Sequence, residues 1–218
     1  MSSRHRLEQL LQHPRIWRAG RASPRRHLQS SGFSRLDEAL DGGWPLGQLI
    51  ELLVEPCGIG ELRLLLPALI ALTGASNSGK WVLLVAPPHI PYAPAFVRRG
   101  LDVSRLLIVR CERQADVLWA VEQALHSHAC VAVLAWSANG GERILRRLQL
   151  AVEETAEAGA ACLLILFRPP RCARQRSPAV LRMHALPGAV GAIELRVFKT
   201  RGGCPQTVVV DLGGRTVG

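Results

Sequence analysis

Lysine is almost missing from this chain: its 218 residues include only Lys80 and Lys199, so the formal charge of +10 is carried by arginine. Arginine favours planar, bidentate contacts. A cationic excess of this kind fits an anion-binding surface, nucleic acid first, and it equally fits the codon usage of a GC-rich genome. Aromatic residues are also scarce, at 5%. Base stacking would therefore contribute little to any nucleic-acid contact, leaving phosphates as the main target. No two of the six cysteines stand in CxxC spacing, and Cys130 and Cys162 lie inside apolar runs. That pattern argues against zinc ligation or a disulfide framework and for small core residues in a reducing compartment. The first 30 residues lack an apolar h-region, and the longest apolar run, Leu64 to Leu72, is broken by Pro67. Neither a secretory signal nor a membrane span is expected, and the expected location is the cytoplasm.

What is present is enough apolar sequence, 48%, for one well-filled core. Residues 1–30 read as a basic arm, with seven arginines against the single acid Glu8, and residues 31–218 as the core domain. In the arm, Leu7, Leu10 and Leu11 suit a short amphipathic helix, and Ile16 and Trp17 suit packing along the domain surface. From Ser31 the pattern predicts a short helix capped by Ser34, with Leu36, Ala39 and Leu40 as its apolar side. Gly42-Gly43 then end it.

The stretch from Gly47 to Leu72 organises the rest. A buried strand (Leu49 to Val54), a glycine-containing turn (Pro56 to Gly60) and a helix follow one another, which is the layout of a nucleotide-binding P-loop. A working P-loop ends in Gly-Lys-Ser/Thr, because the lysine reaches the phosphates and the hydroxyl holds magnesium. Here Gly60 is followed by Glu61 and Leu62. A carboxylate repels a phosphate, and leucine cannot bind a metal. A second string, Gly74 to Lys80, satisfies Gly-x4-Gly-Lys, but Trp81 follows it. A helix precedes that string and a strand succeeds it, the reverse of what a phosphate site at a helix N-terminus needs.

Further on, strands at 81–86, 106–110, 130–135 and 161–167 alternate with helices near 95–99, 114–126 and 141–158. The last helix is expected to turn Ile144, Leu148, Ala151 and Thr155 inward, with Asn139 and Glu142 spaced as a capping box. Continuous apolar strands alternating with amphipathic helices predict an α/β fold with a mostly parallel central sheet and helices on both faces. Residues 168–182 then carry Arg168, Arg171, Arg174, Arg176 and Arg182 without an acid. This basic, irregular loop leaves the carboxyl end of a strand, where ligand contacts gather. The tail, 193–198 and 208–212, has the period of an antiparallel C-terminal hairpin.

The organisation over about 31–212 resembles a RecA-type core, a three-layer sandwich, and more closely the ImuA family of RecA-like accessory proteins in SOS-induced translesion synthesis. The residues that carry the resemblance are Gly32-Phe-Ser-Arg-Leu-Asp37-Glu-Ala-Leu, Gly42-Gly-Trp-Pro-Leu-Gly47, Glu51-Leu-Leu and Lys199-Thr-Arg-Gly-Gly. The departures are chemical. RecA proteins place a catalytic glutamate just after the second strand, where this chain reads Ala86-Pro87-Pro88-His89. The metal-binding aspartate after the fourth strand is replaced by Ala135-Trp136-Ser137. His89 in a proline-rich turn reads as an exposed or capping residue, and Trp136 as apolar filling.

The degenerate nucleotide site so defined comprises Glu55, Gly58, Gly60, Glu61, Leu62, Pro88, Ala135 and Trp136. No catalysis, metal or cofactor is expected from it. The resemblance implies an adaptor that binds an ImuB-like polymerase homologue and an error-prone polymerase subunit, with RecA as a further partner. Arg168, Arg171, Arg174, Arg176, Arg182, Lys199 and Arg201 are the residues expected to contact single-stranded DNA or a DNA-bound partner. The alternative is a SulA-type division inhibitor that binds FtsZ, from a related degenerate RecA-like family.

Overall fold

The longest buried runs of the sequence become the middle of one sheet. A computed structural model describes residues 27–55, 58–74, 77, 79–200 and 203–213. A two-residue strand β1 (Leu28–Gln29) pairs antiparallel with β2 (Trp44–Pro45). Between them lies helix α1 (Ser34–Ala39). Strand β3 (Gln48–Leu53) leads to α2 (Glu61–Leu72), β4 (Trp81–Val85), α3 (Ala93–Val97) and β5 (Leu106–Val109). Then follow α4 (Gln114–His126), β6 (Cys130–Trp136), α5 (Glu142–Glu157) and β7 (Leu163–Arg168). The described chain closes with β8 (Leu181–Pro187), β9 (Ala192–Lys199) and β10 (Gln206–Asp211).

These strands form an eight-stranded sheet in the order β10-β9-β8-β3-β7-β6-β4-β5. From β8 to β5 every pairing is parallel, and β9 and β10 join antiparallel at the opposite end. Alternate side chains of the central strands enter two separate cores. Ile50, Leu84 and Ile165 pack with Leu64, Leu65 and Leu69 of α2 on one face. Leu49, Leu83 and Leu164 pack with Val117 and Val121 of α4 and Leu148 and Val152 of α5 on the other. A strand buried on both faces is mostly apolar along its length, which is why β3, β6 and β7 show no alternation in sequence. The expected mixed α/β sheet with a C-terminal hairpin is present. Among the described residues, no helix is long and apolar enough to cross a membrane.

Several local expectations are corrected. Ser34 does not cap α1, whose N-cap is Phe33 with no side-chain cap; the Asp37 carboxylate instead holds the preceding loop, accepting from the Ser31 amide at 2.7 Å and the Ser30 hydroxyl at 2.6 Å. Asn139 and Glu142 do not form a capping box, since Gly141 is the N-cap of α5 and no side chain caps it. The inward face of α5 is set by Leu145, Leu148, Ala151, Val152 and Thr155, while Ile144 stays 40% exposed. Residues 27–30 of the expected arm join the core through β1; residues 1–26, including Ile16 and Trp17, lie outside the described residues. Strand β8 has no counterpart among the expected elements, and it supplies both the parallel partner of β3 and the antiparallel partner of β9.

One close approach explains a glycine. Gly32 has φ +82°, and a Cβ there would lie 2.4 Å from Cβ of Pro67 in α2. The proline ring that interrupts the helix sequence is thus the surface on which the loop before α1 rests.

Candidate functional site

Strands β3, β4, β6 and β7 run parallel, so their carboxyl ends share one edge of the sheet, the usual place for a ligand crevice in such folds. The nucleotide-like loop leaves β3 at this edge. Gly60, at φ +97°, is the N-cap of α2, and a Cβ on it would come within 2.8 Å of Leu212. Glu61 is buried, and its Oε2 accepts from the Ile59 amide at 2.9 Å. The first turn of α2, where backbone amides attract anions, therefore holds a carboxylate of its own. Arg63 Nη2 donates to the Leu212 carbonyl at 2.6 Å, tying the end of β10 to the same turn. Leu62 packs against the core, while Glu55 and Gly58 are exposed.

The other positions of the expected nucleotide site are equally poor in reactive groups. Pro88 and His89 are exposed in the turn after β4. Ala135 is fully buried, and Trp136 stacks on Phe167 with centroids 4.5 Å apart and planes 11° apart. Ser137 is buried and accepts from the Asn139 amide at 3.2 Å. Among the described residues, no group of three or more His, Cys, Asp or Glu could hold a metal ion. The Gly74–Lys80 string lies between α2 and β4, at the amino end of that strand, with Ala75, Ser76 and Ser78 outside the described residues.

Beside this edge sits the feature that sequence reasoning did not identify as a site. Glu51, in the middle of β3, is wholly buried and faces two arginines. Its Oε1 accepts from Arg168 Nη1 at 2.8 Å, and its Oε2 accepts from Arg182 Nε. A buried carboxylate is tolerated only with such partners. The signal was there to read: one acid inside an otherwise apolar buried strand implies a buried cation elsewhere.

Apart from Arg168 Nε, which is buried without a partner, further donors of the two arginines reach the irregular segments nearby. Residues 169–180 carry the chain from β7 to β8 without an α-helix, so few of their carbonyls find partners within the segment. Arg182 donates to the carbonyls of Cys172 at 2.9 Å and Ala173 at 3.2 Å. Arg168 Nη2 donates to Gln175 Oε1 at 2.8 Å and to the Gly140 carbonyl at 3.1 Å, in the loop before α5. Lys199, opposite Arg182 in the β8–β9 register, donates to the Ser177 carbonyl at 2.8 Å. Partial burial pushes the Lys199 pKa down, Arg182 pushes it further, and Glu51 opposes both.

This corrects part of the expected contact surface. Arg168 and Arg182 are interior residues, 1% and 6% exposed, and cannot reach a phosphate or a partner. Arg171, Arg174 and Arg176 are exposed. The first two lie in the short 3-10 helix Pro170–Arg174, where residues three apart project to the same side. An open cavity of about 440 Å³ lies between the two loops, lined by Ala138, Asn139, Gly140, Gly141, Glu142, Gln175 and Arg176. Arg201 lies outside the described residues.

Comparison of the chain with protein-family models and with curated proteins gives no match.

Proposed function

We propose that this chain is a non-enzymatic adaptor of RecA-like fold in SOS-induced, error-prone translesion synthesis, as its resemblance to the ImuA family implies. It works in the cytoplasm by contact: with an ImuB-like polymerase homologue, an error-prone polymerase subunit and RecA, and with single-stranded DNA through exposed arginines. The observation that carries the reading is the pairing of Glu61 with the Ile59 amide. At the turn where a nucleotide-binding loop would offer amides to phosphate, this chain supplies its own anion. The residues that follow Gly60 are Glu61 and Leu62, and among the described residues no group of three or more His, Cys, Asp or Glu could hold a metal ion. The sheet around it supports the same reading, since the positions after β4 and at the end of β6 that would carry hydrolytic carboxylates are Pro88, Ala135 and Trp136.

Arg171, Arg174 and Arg176 form the exposed basic face next to this edge. Because such contacts run through phosphate, binding should be weakly sequence-dependent and should fall steeply with salt. The test is the triple charge reversal Arg171→Glu, Arg174→Glu, Arg176→Glu, assayed by recovery of oligo(dT) and polymerase components from damaged cells. Loss of both or either supports the proposal. Unchanged recovery of both overturns the contact assignment, and recovery of FtsZ, with filamentous cells on overproduction, moves the chain to the SulA-type alternative.

A further inference from the structure

We infer that Glu51, Arg168 and Arg182 are positioning residues: they pin the segment 169–177 and the loop before α5 to the sheet, so that Arg171, Arg174 and Arg176 are presented on a rigid platform. For its consequence in binding, this rests on the anion-contact reading of those three exposed arginines; the pinning itself does not.

The connectivity supports it directly. One carboxylate on the central strand holds two guanidinium groups by different oxygens. Those groups and Lys199 then reach the carbonyls of Cys172, Ala173 and Ser177 and the side chain of Gln175. Arg168 also takes the Gly140 carbonyl, so a single side chain spans β3 and both walls of the 440 Å³ cavity. Cys172 turns inward and is fully buried, whereas Arg171 and Arg174 on either side are exposed. The segment therefore has a fixed underside and a cationic outer side. A surface ordered before it meets its ligand loses less freedom on binding, which raises affinity without adding contacts.

The division of labour among the cations follows from their chemistry. A guanidinium can serve three acceptors in fixed directions, while an ammonium is a point charge on a flexible stem. Arg168→Lys keeps the charge beside Glu51 but cannot hold Glu51, Gly140 and Gln175 together. Gln175→Ala removes one exposed end of the same chain of contacts and leaves the buried part intact.

The experiment uses the full chain and both variants, with hydrogen exchange of peptides covering 137–141 and 169–180 and of the β3 and β6 peptides, alongside oligo(dT) binding across a salt series. The expected result is at least tenfold faster exchange in 169–180 for both variants, with β3 and β6 unchanged in Gln175→Ala. Oligo(dT) affinity should fall several-fold with the same salt slope, because the number of phosphate-contacting arginines is unaltered. Exchange in 169–180 that matches the parent in both variants overturns the inference, whatever happens to affinity. Faster exchange with unchanged oligo(dT) affinity upholds the pin and overturns its role in binding, whereas a parent chain that does not bind oligo(dT) at any salt removes the nucleic-acid reading and leaves the pin standing. Should Arg168→Lys fail to fold, Gln175→Ala decides the question alone.

Discussion

Glu51 and Arg168, 117 residues apart in sequence, meet at 2.8 Å with both side chains wholly out of solvent. Arg182 shares the carboxylate, so the cluster holds two cations against one anion. Removing the acid leaves two buried guanidinium groups without a counter-charge. Glu51→Ala is therefore expected to cost about 3–5 kcal/mol. For a chain of this size that lowers Tm by roughly 6–20 °C. Replacing all three residues with apolar ones of similar volume should cost much less, since no charge is then stranded. Thermal or urea unfolding of the two variants checks the contrast.

His184, on β8 beside Phe198, has its pKa pushed below the ordinary 6.5 by burial first and then by Arg196 and Arg182. The unfolded chain thus takes up this proton more readily than the folded one. Stability contributed by the neutral ring is full above about pH 6.5 and is lost as pH falls through the lower folded value. Unfolding free energies of the parent and of His184→Gln, measured from pH 7.5 down to pH 5, should converge towards the acid end. A gap that stays constant over that range contradicts the assignment.

The cysteines should separate by burial. Burial alone raises the Cys130 thiol to about 11, and Cys162, fully buried, is pushed up further still. Cys204 is exposed. Since the thiolate is the reactive form, a maleimide at pH 7.5 should label Cys204 in the native chain and reach Cys130 and Cys162 only after denaturation. Peptide mapping of the labelled sites reads this out. Native labelling of Cys162 would contradict its burial immediately before β7.

The sheet was legible because β3, β6 and β7 are buried on both sides, and burial writes itself as continuous apolar sequence. Strand β8 was not, because Arg182 and His184 interrupt its apolar run and the chain before it reads as one long basic loop. Nothing local marks Arg182 as interior: its partner Glu51 lies 131 residues away. Composition consequently assigned Arg168 and Arg182 to the surface along with Arg171, Arg174 and Arg176. The extent of helix α5 is legible but its rotation is not: Ile144 and Leu145 both fit the apolar spacing, and only packing against the sheet selects Leu145. The departure of this turn from a phosphate-binding loop was legible as Glu61 and Leu62; that Glu61 binds the Ile59 amide was not, because it depends on the left-handed turn at Gly60.

The most direct test of the central proposal, a nucleotide-type site whose reactive groups are gone, is the thermal midpoint of the purified chain with and without millimolar ATP and magnesium, followed by phosphate release over hours. A ligand at a hundred times its Kd would add about 2.7 kcal/mol, or roughly 5–10 °C in a chain of this size. An emptied site predicts an unmoved midpoint and no phosphate above a protein-free control. A magnesium-dependent rise of several degrees, or turnover that disappears in a Gly60→Asp variant, would contradict it.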